Sequence, residues 1–285
     1  MRTRIFTFVT TSVAATALVA AAGPVTGAQA ATAAESGVRA AWPAVSAYHG
    51  VTSEQQTERF TALRDQGYRP ITFAVDNASS PRYGAVWVKD SGPAWAMIQG
   101  MSSSGYQKRF DEYLAKGYRP TTVSASGSGG DAVFAAIFEK VPGKFFAKHN
   151  IGTAQFTAAS ADAARRGYIL TSVNVYGTAS DPRYVAVWSQ SSQPWSVTAG
   201  KTSAEHQAEF DARTKRGEKT ALVSVGPGGT YTAVWVKDSG PTWYEYTGMS
   251  ASGYQKRFDE LKAKGFFPAR LDVEEGSYTA IWAKG

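Results

Sequence analysis

Residues 85–120 read "AVWVKDSGPAWAMIQGMSSSGYQKRFDEYLAKGYRP", and residues 233–268 read "AVWVKDSGPTWYEYTGMSASGYQKRFDELKAKGFFP". The stretches lie 148 residues apart and agree at 26 of 36 positions. Self-similarity on that scale marks a repeat architecture, so its period decides the fold. Taking the aromatic or apolar residue five places before a Gly or Asn as a start gives Val45, Trp95, Phe145, Trp195 and Trp243, spaced by 50, 50, 50 and 48 residues. Positions not used to set that register confirm it. A glycine stands 22 residues after every start, at Gly67, Gly117, Gly167, Gly217 and Gly265. Phe60, Phe110, Phe210 and Phe258 stand 15 residues after theirs, and Ser160 breaks the series in the third copy. Trp87, Phe138, Trp188, Trp235 and Trp282 close the five copies.

One copy can then be read residue by residue. A short apolar strand such as "WAMIQGM" leads to Thr52, Ser102, Thr202 or Ser250, each a helix N-cap, and Thr52/Gln55 and Thr202/Glu205 have capping-box spacing. The next dozen residues have helical periodicity, which puts Tyr106, Phe110, Tyr113, Leu114 and Gly117 on one face. The recurrent glycine fits a C′ position, where φ is positive. Two strands joined by Asn/Ser/Gly/Pro-rich turns complete a β-α-β-β unit. One such unit cannot close a core alone, so neighbours must stack. The expected fold class is an α+β tandem-repeat protein of five units, arranged as a closed, propeller-like ring or as a short superhelix. The units run 45–94, 95–144, 145–194, 195–242 and 243–285 within a single domain.

The residues before the repeats differ in kind. Arg2 and Arg4 precede an apolar, alanine-rich run from Ile5 to Ala22; Gly23-Pro24 interrupts it, and Ala28-Gln29-Ala30 has the A-x-A form. This reads as a secretory signal peptide over 1–30, followed by a flexible linker over 31–44. No second apolar run long enough to span a bilayer follows. The expectation is a secreted, extracellular protein with no membrane partner. Its net charge is +7, or 28 basic against 23 acidic residues without the leader, and the charge is dispersed rather than gathered in a nucleic-acid-binding run. The chain has no cysteine, so disulfides, thiolate metal sites and cysteine nucleophiles are excluded.

The blocks W-x(4)-G-[MVIK]-[ST], "Y-Q-x-R-F-D-E", "G-Y-R-P" and "A-V-W" resemble a bacterial tandem-repeat family with units of about 50 residues. Related repeats form the N-terminal domain of fungal polyglycine hydrolases. In those enzymes catalysis belongs to a separate domain similar to serine β-lactamases. None of the five units resembles that catalytic domain. The resemblance to the repeats covers all five units and implies the accessory part of such an enzyme.

The residues carry no motif that supplies the missing chemistry. S-x-x-K is absent; Ser104 and Lys108, echoed by Ser252 and Lys256, are one residue too far apart. There is no G-x-S-x-G elbow, H-E-x-x-H motif, calcium loop or P-loop. "SGSGGD" (126–131) and "GPGG" (226–229) read as hairpin turns, and Asp111-Glu112, Asp259-Glu260 and Glu274-Glu275 as solvated surface. Catalytic, cofactor-binding and metal-ligating residues are therefore expected to be none. The ligand-binding candidates are Tyr83 and Tyr184 after Pro-Arg, Tyr244 and Tyr246, and the phase-related His49 and His149. The closing tryptophans read as core, with a row of exposed rings as the alternative. The expected function is a non-catalytic module that binds an extracellular polysaccharide or extended polypeptide on the face decorated by the variable turns. The alternatives are a secreted, peptidase-like hydrolase whose site is assembled across repeats, and an inhibitor or carrier of a secreted enzyme.

Overall fold

The computed structural model describes residues 27–29, 44–237, 240 and 242–284. The expected leader, apart from 27–29, and the expected linker up to residue 43 lie outside the described residues. Strand β1 (Gly27–Gln29) pairs antiparallel with the edge of the fifth sheet. The five units then follow. The first is β2 (Val45–Val51), α1 (Ser53–Asp65), β3 (Arg69–Asp76) and β4 (Arg82–Val88); the second is β5 (Trp95–Met101), α2 (Ser103–Ala115), β6 (Arg119–Ser126) and β7 (Val133–Glu139). The third is β8 (Phe145–Gly152), α3 (Thr153–Arg165), β9 (Tyr168–Thr178) and β10 (Asp181–Gln190). The fourth is β11 (Trp195–Lys201), α4 (Ser203–Thr214), β12 (Glu218–Gly226) and β13 (Thr230–Lys237), and the fifth is β14 (Trp243–Met249), α5 (Ala251–Lys262), β15 (Phe266–Glu274) and β16 (Ser277–Lys284). No helix among the described residues is long and apolar enough to cross a membrane.

Local chemistry sets each unit. Thr52, Ser102, Thr202 and Ser250 are N-caps whose hydroxyls accept a backbone N–H, and both expected capping boxes form. The glycine after each helix has φ between 72° and 80°, which ends the helix without strain. Each first strand carries a bulge, because Gly50, Gly100, Asn150, Gly200 and Gly248 adopt φ between 54° and 67° where the pairing register shifts. In every sheet the last strand of the unit lies in the middle, the first strand on one side and the second strand on the other.

The core of a unit lies between its sheet and its helix. The closing Trp87, Phe138, Trp188, Trp235 and Trp282 are all buried, as the core reading requires. Four residues before each stands Tyr83, Phe134, Tyr184, Tyr231 or Tyr278. In four units a ring from the helix stacks on that residue: Tyr106 on Phe134 at 5.2 Å, Phe156 on Tyr184 at 4.2 Å, His206 on Tyr231 at 5.2 Å and Tyr254 on Tyr278 at 5.4 Å. The first unit has Gln56 in that place, bonded to the Tyr48 hydroxyl, and Tyr83 stacks on Phe73 instead. One expected core residue differs: Leu114 is 45% exposed, because Phe110 and Tyr113 already cover Phe138 and Leu114 lies beside that seam.

The second strands β3, β6, β9, β12 and β15 are sheet edges, and they meet one another across units. Their contacts run from β3 to β6, β9, β12 and β15, and from β15 back to β3, so the cycle of contacts is closed. Among the described residues no ladder of backbone bonds joins the five sheets into one. Side chains cross the gaps, helped by one backbone bond from Gly177 N to the Gly127 carbonyl at 2.9 Å. Ser124 accepts from Val75 N at 3.0 Å, Ser172 and Asn174 accept from Val123 N and Ala125 N at 3.0 and 2.8 Å, Ser224 accepts from Val175 N at 3.1 Å, and Asp272 accepts from Val225 N at 3.1 Å. At the junction of the fifth and first units, Asp76 accepts from Gly276 N at 2.9 Å and Thr72 donates to the Leu271 carbonyl at 3.4 Å. Each bond from an edge-strand N–H supplies an acceptor to a buried donor that would otherwise have none.

Removing one acceptor should therefore cost more than a surface hydrogen bond. Ser124→Ala leaves Val75 N buried and unpaired, and the expected loss is about 1–3 kcal/mol. Denaturant unfolding measures it as a lowered midpoint with an unchanged m-value; a loss of only a few tenths would show that the crossing bonds do not hold the junction.

Candidate functional site

The candidates drawn from the sequence sit mostly inside the units or between them. Tyr83 and Tyr184 are each 1% exposed, so neither ring is available to stack on a ligand. They follow a turn in sequence, but they occupy the inward register of the central strand. Tyr244 and Tyr246 are half-buried on β14; Tyr244 leans on Phe266, and the Arg257 guanidinium lies 4.7 Å from the centre of the Tyr246 ring. His49 and His149 are also half-buried and hold unit junctions. The Nε2 of His49 lies 3.2 Å from Gln255 Oε1, and its ring packs edge-on against Tyr254 and Tyr278 of the fifth unit. His149 packs edge-on against Tyr106 and Phe134 of the second unit. Burial lowers the pKa of both imidazoles, which favours the neutral ring in an aromatic setting.

A third histidine is more tightly held. His206 Nε2 lies 2.6 Å from Glu245 Oε1, and the other Glu245 oxygen takes the Thr220 hydroxyl. The three residues are buried between the fourth and fifth units. This chain of bonds ties α4 and β12 to β14, and its burial keeps substrate away.

The strands at the centre of the cycle carry a different set of residues. Along them, positions 27, 29 and 31 residues after each unit start share one strand face, since strand side chains alternate. The first of these layers is Thr72, Thr122, Ser172, Leu222 and Arg270; the second is Ala74, Ser124, Asn174, Ser224 and Asp272; the third is Asp76, Ser126, Tyr176, Gly226 and Glu274. All five strands contribute to a small cavity of about 40 Å³ lined by the first layer with Ser124 and Asp272. Beyond the third layer, the turns open into a cleft of about 580 Å³. It is lined by Asp76, Asn77 and Ser79 of the first unit, Ser126, Ser128 and Asp131 of the second, Gly177 of the third, and Glu274 and Glu275 of the fifth.

That cleft is acidic, and its carboxylates differ in setting. Asp76 is fixed by two backbone donors, Asn77 N at 2.8 Å and Gly276 N at 2.9 Å. Glu274, expected on the surface because it precedes a turn, is only 4% exposed, and its Oε2 has no partner. Burial pushes its pKa up to about 9, helped by the charges of Asp76, Asp272 and Glu275 and opposed by a hydrogen bond from Ser126. Below it, burial pushes Asp272 up to about 7 against the hydrogen bonds of Ser224, Asn174, Val273 N and Val225 N. Asp131 and Glu275 stay exposed at the rim. Among the described residues no group of three or more His, Asp or Glu side chains is placed to hold a metal ion.

The sign of the pH dependence follows from these two acids. Both bind a proton more tightly folded than at their ordinary values of 3.8 and 4.5, so their contribution to stability is complete below about pH 4. It is lost as pH rises, for Asp272 by about pH 7 and for Glu274 by about pH 9. Each group contributes a slope of at most about 1.4 kcal/mol per pH unit. Glu274→Gln cannot ionise, so the stability difference between variant and parent should shift in favour of the variant between pH 6 and 9. Parallel stability profiles across that range would show that Glu274 is not held protonated.

A comparison with known families bears on the whole repeat region. The family model described as "Polyglycine hydrolase-like, structural repeat" matches the chain five times, at residues 42–90, 92–141, 142–191, 192–238 and 240–285.

Proposed function

The chain belongs to the polyglycine hydrolase-like structural-repeat family, and from that premise we propose that it is an exported, non-catalytic repeat protein that binds an extended polypeptide in the acidic cleft formed by its turns. The observation that carries this reading is the make-up of the cleft. Turns from the first, second and fifth units place Asp76, Asp131 and Glu275, with Asn77, Ser79, Ser126 and Ser128, around one opening. These are hydrogen-bond acceptors suited to backbone N–H groups and to amines. No sugar-stacking platform stands out: among the described residues Leu114 is the one large hydrophobic side chain in the exposed class, and every aromatic ring is buried or half-buried. That favours a polypeptide over a polysaccharide. Export is supported by the charged, apolar and A-x-A pattern of residues 1–30.

A second reading keeps the hydrolase alternative, with a site assembled from two units. Glu274 is held towards its protonated form, while Asp76 of the neighbouring unit is held as an acceptor by two N–H groups. An acid and a base with separated environments are the requirement for general acid–base hydrolysis.

One experiment separates the readings. The purified protein would be titrated into labelled extended peptides, glycine-rich with and without lysine, and co-sedimented with peptidoglycan, chitin and cellulose, with all supernatants read by mass spectrometry. The expected outcome is saturable peptide binding without fragments, weakened about tenfold by Asp131→Asn combined with Glu275→Gln at unchanged thermal stability. Sedimentation with a polysaccharide alone would sink the polypeptide reading. Fragments that vanish in Glu274→Gln while binding persists would establish the second reading.

A further inference from the structure

Five carboxylates stand at the acidic cleft or just below it: Asp76, Asp131, Asp272, Glu274 and Glu275. No lysine or arginine lines the opening, and none of the ion pairs among the described residues involves these five acids. Four of them are otherwise provided for. Asp76 accepts from Asn77 N and Gly276 N, Asp272 from the Asn174 side-chain amide at 2.9 Å and Val225 N at 3.1 Å, and Glu275 from Gly228 N at 3.1 Å, while Asp131 is exposed to water. Glu274 is the exception. Its side chain is buried, and no donor among the described residues reaches its Oε2. A buried acceptor left without a donor is costly, and more so when it carries charge. The groups that face Glu274 supply nothing positive. After burial itself, Asp76 on β3, Asp272 on β15 and Glu275 in the turn all raise its pKa, and only the Ser126 hydroxyl on β6 lowers it.

What the cluster lacks is a positive charge with hydrogen-bond donors. A metal ion fits poorly, because among the described residues no three acidic or imidazole side chains converge to hold one. We propose that Glu274, with Asp76 and Ser126 beside it, seats a primary ammonium group of the bound polypeptide, whether its free N-terminus or a lysine side chain. The proposal rests on the polypeptide reading and names the group that the cleft recognises. An alkylammonium brings three donors and one charge, and its bonds to a carboxylate are of the strong, charge-assisted kind. Glu274, Asp76 and Ser126 all line the cleft and offer the matching acceptors. The Oε2 atom itself is covered in the free protein, so the carboxylate turns towards the opening as the ammonium enters. The last torsion of a glutamate is broad, which makes that turn easy. Seating the ammonium requires an ionised Glu274. Burial holds its pKa at about 9 in the free protein, so binding near neutral pH releases a proton, and affinity rises with pH until the amine loses its own.

Three pentaglycine amides are the probes: one with a free N-terminus, one N-acetylated, and one N-acetylated with a single lysine added. Calorimetric titration of the purified protein, in two buffers of different ionisation enthalpy, reads affinity and proton release together. At least one amine-bearing peptide is expected to bind about tenfold more tightly than the acetylated, lysine-free one, with release of close to one proton; which of the two does so identifies the source of the ammonium. Glu274→Gln should remove both the preference and the proton release. Should that variant not fold, the pH series on the parent carries the test: affinity for the preferred amine should rise about tenfold from pH 6 to pH 7, and affinity for the acetylated, lysine-free peptide should not. Equal binding of all three peptides would overturn the ammonium seat and leave the polypeptide reading standing, whereas binding of none would overturn both. A preference that survives Glu274→Gln, or one that is independent of pH, would also overturn the seat.

Discussion

The structure depends on hydrogen bonds from backbone N–H groups on one inner strand to small polar side chains on the next. Five sheets meet at their edges, and an open sheet edge buried without partners is costly. A continuous ladder would merge the sheets and erase the units. Serine, asparagine and aspartate side chains solve the problem differently, by reaching across a gap that the backbones do not close. The junction between the fifth and first units shows how strict the requirement is. Ala74 occupies the place where the other units carry Ser124, Asn174, Ser224 or Asp272, and Asp76, one layer further on, takes a backbone donor from the fifth unit instead.

Much of the unit was legible in the sequence because its signals are local. A cap hydroxyl, a glutamine or glutamate three residues later and a glycine after the last turn act within one helix, and the closing tryptophans recur at a fixed phase. The centre was not legible for the opposite reason. "AVD", "SAS", "NVY" and "DVE" look like strands with one wet face, and alternation alone does not say whether that face meets water or another strand. In the folded chain it meets another strand. Glu274 misled for the same reason, since a carboxylate next to a turn is usually solvated. Aligning the inner strands of the five units would have shown that polar residues repeat at three alternate positions, a signal that the aromatic phases overshadowed. The tyrosine candidates failed on register: Tyr83 and Tyr184 enter the central strand facing inward, four residues from a buried tryptophan.

Repetition fixes the scaffold, and its lapses furnish the chemistry. Three layers of equivalent positions surround the centre, yet charge enters only at Arg270, Asp272, Glu274 and Asp76, all at or beside the junction of the fifth and first units. The ionisable groups thereby stand at different depths along the inner strands, with Asp76, Asp272 and Glu274 buried and Arg270 exposed. The third unit departs in another way: its Ser160 stands where others have phenylalanine and leaves a buried hydroxyl unpaired, while Phe156 stacks at 4.2 Å, the shortest of the four ring pairs. The same framework thus tolerates loss of a core ring in one unit and gain of buried acids in another.

The closed cycle of contacts also frees the fold from the direction of its own gene. Val45 and Lys284 belong to neighbouring units, as Val88 and Trp95 do, although only the second pair is joined through the chain. Every junction is held by contacts between inner strands, so no single connecting peptide is privileged. A circularly permuted chain, opened between any two units and sealed between the fifth and the first, would present the same neighbours to every strand. Which unit comes first is a matter of ancestry rather than of mechanics.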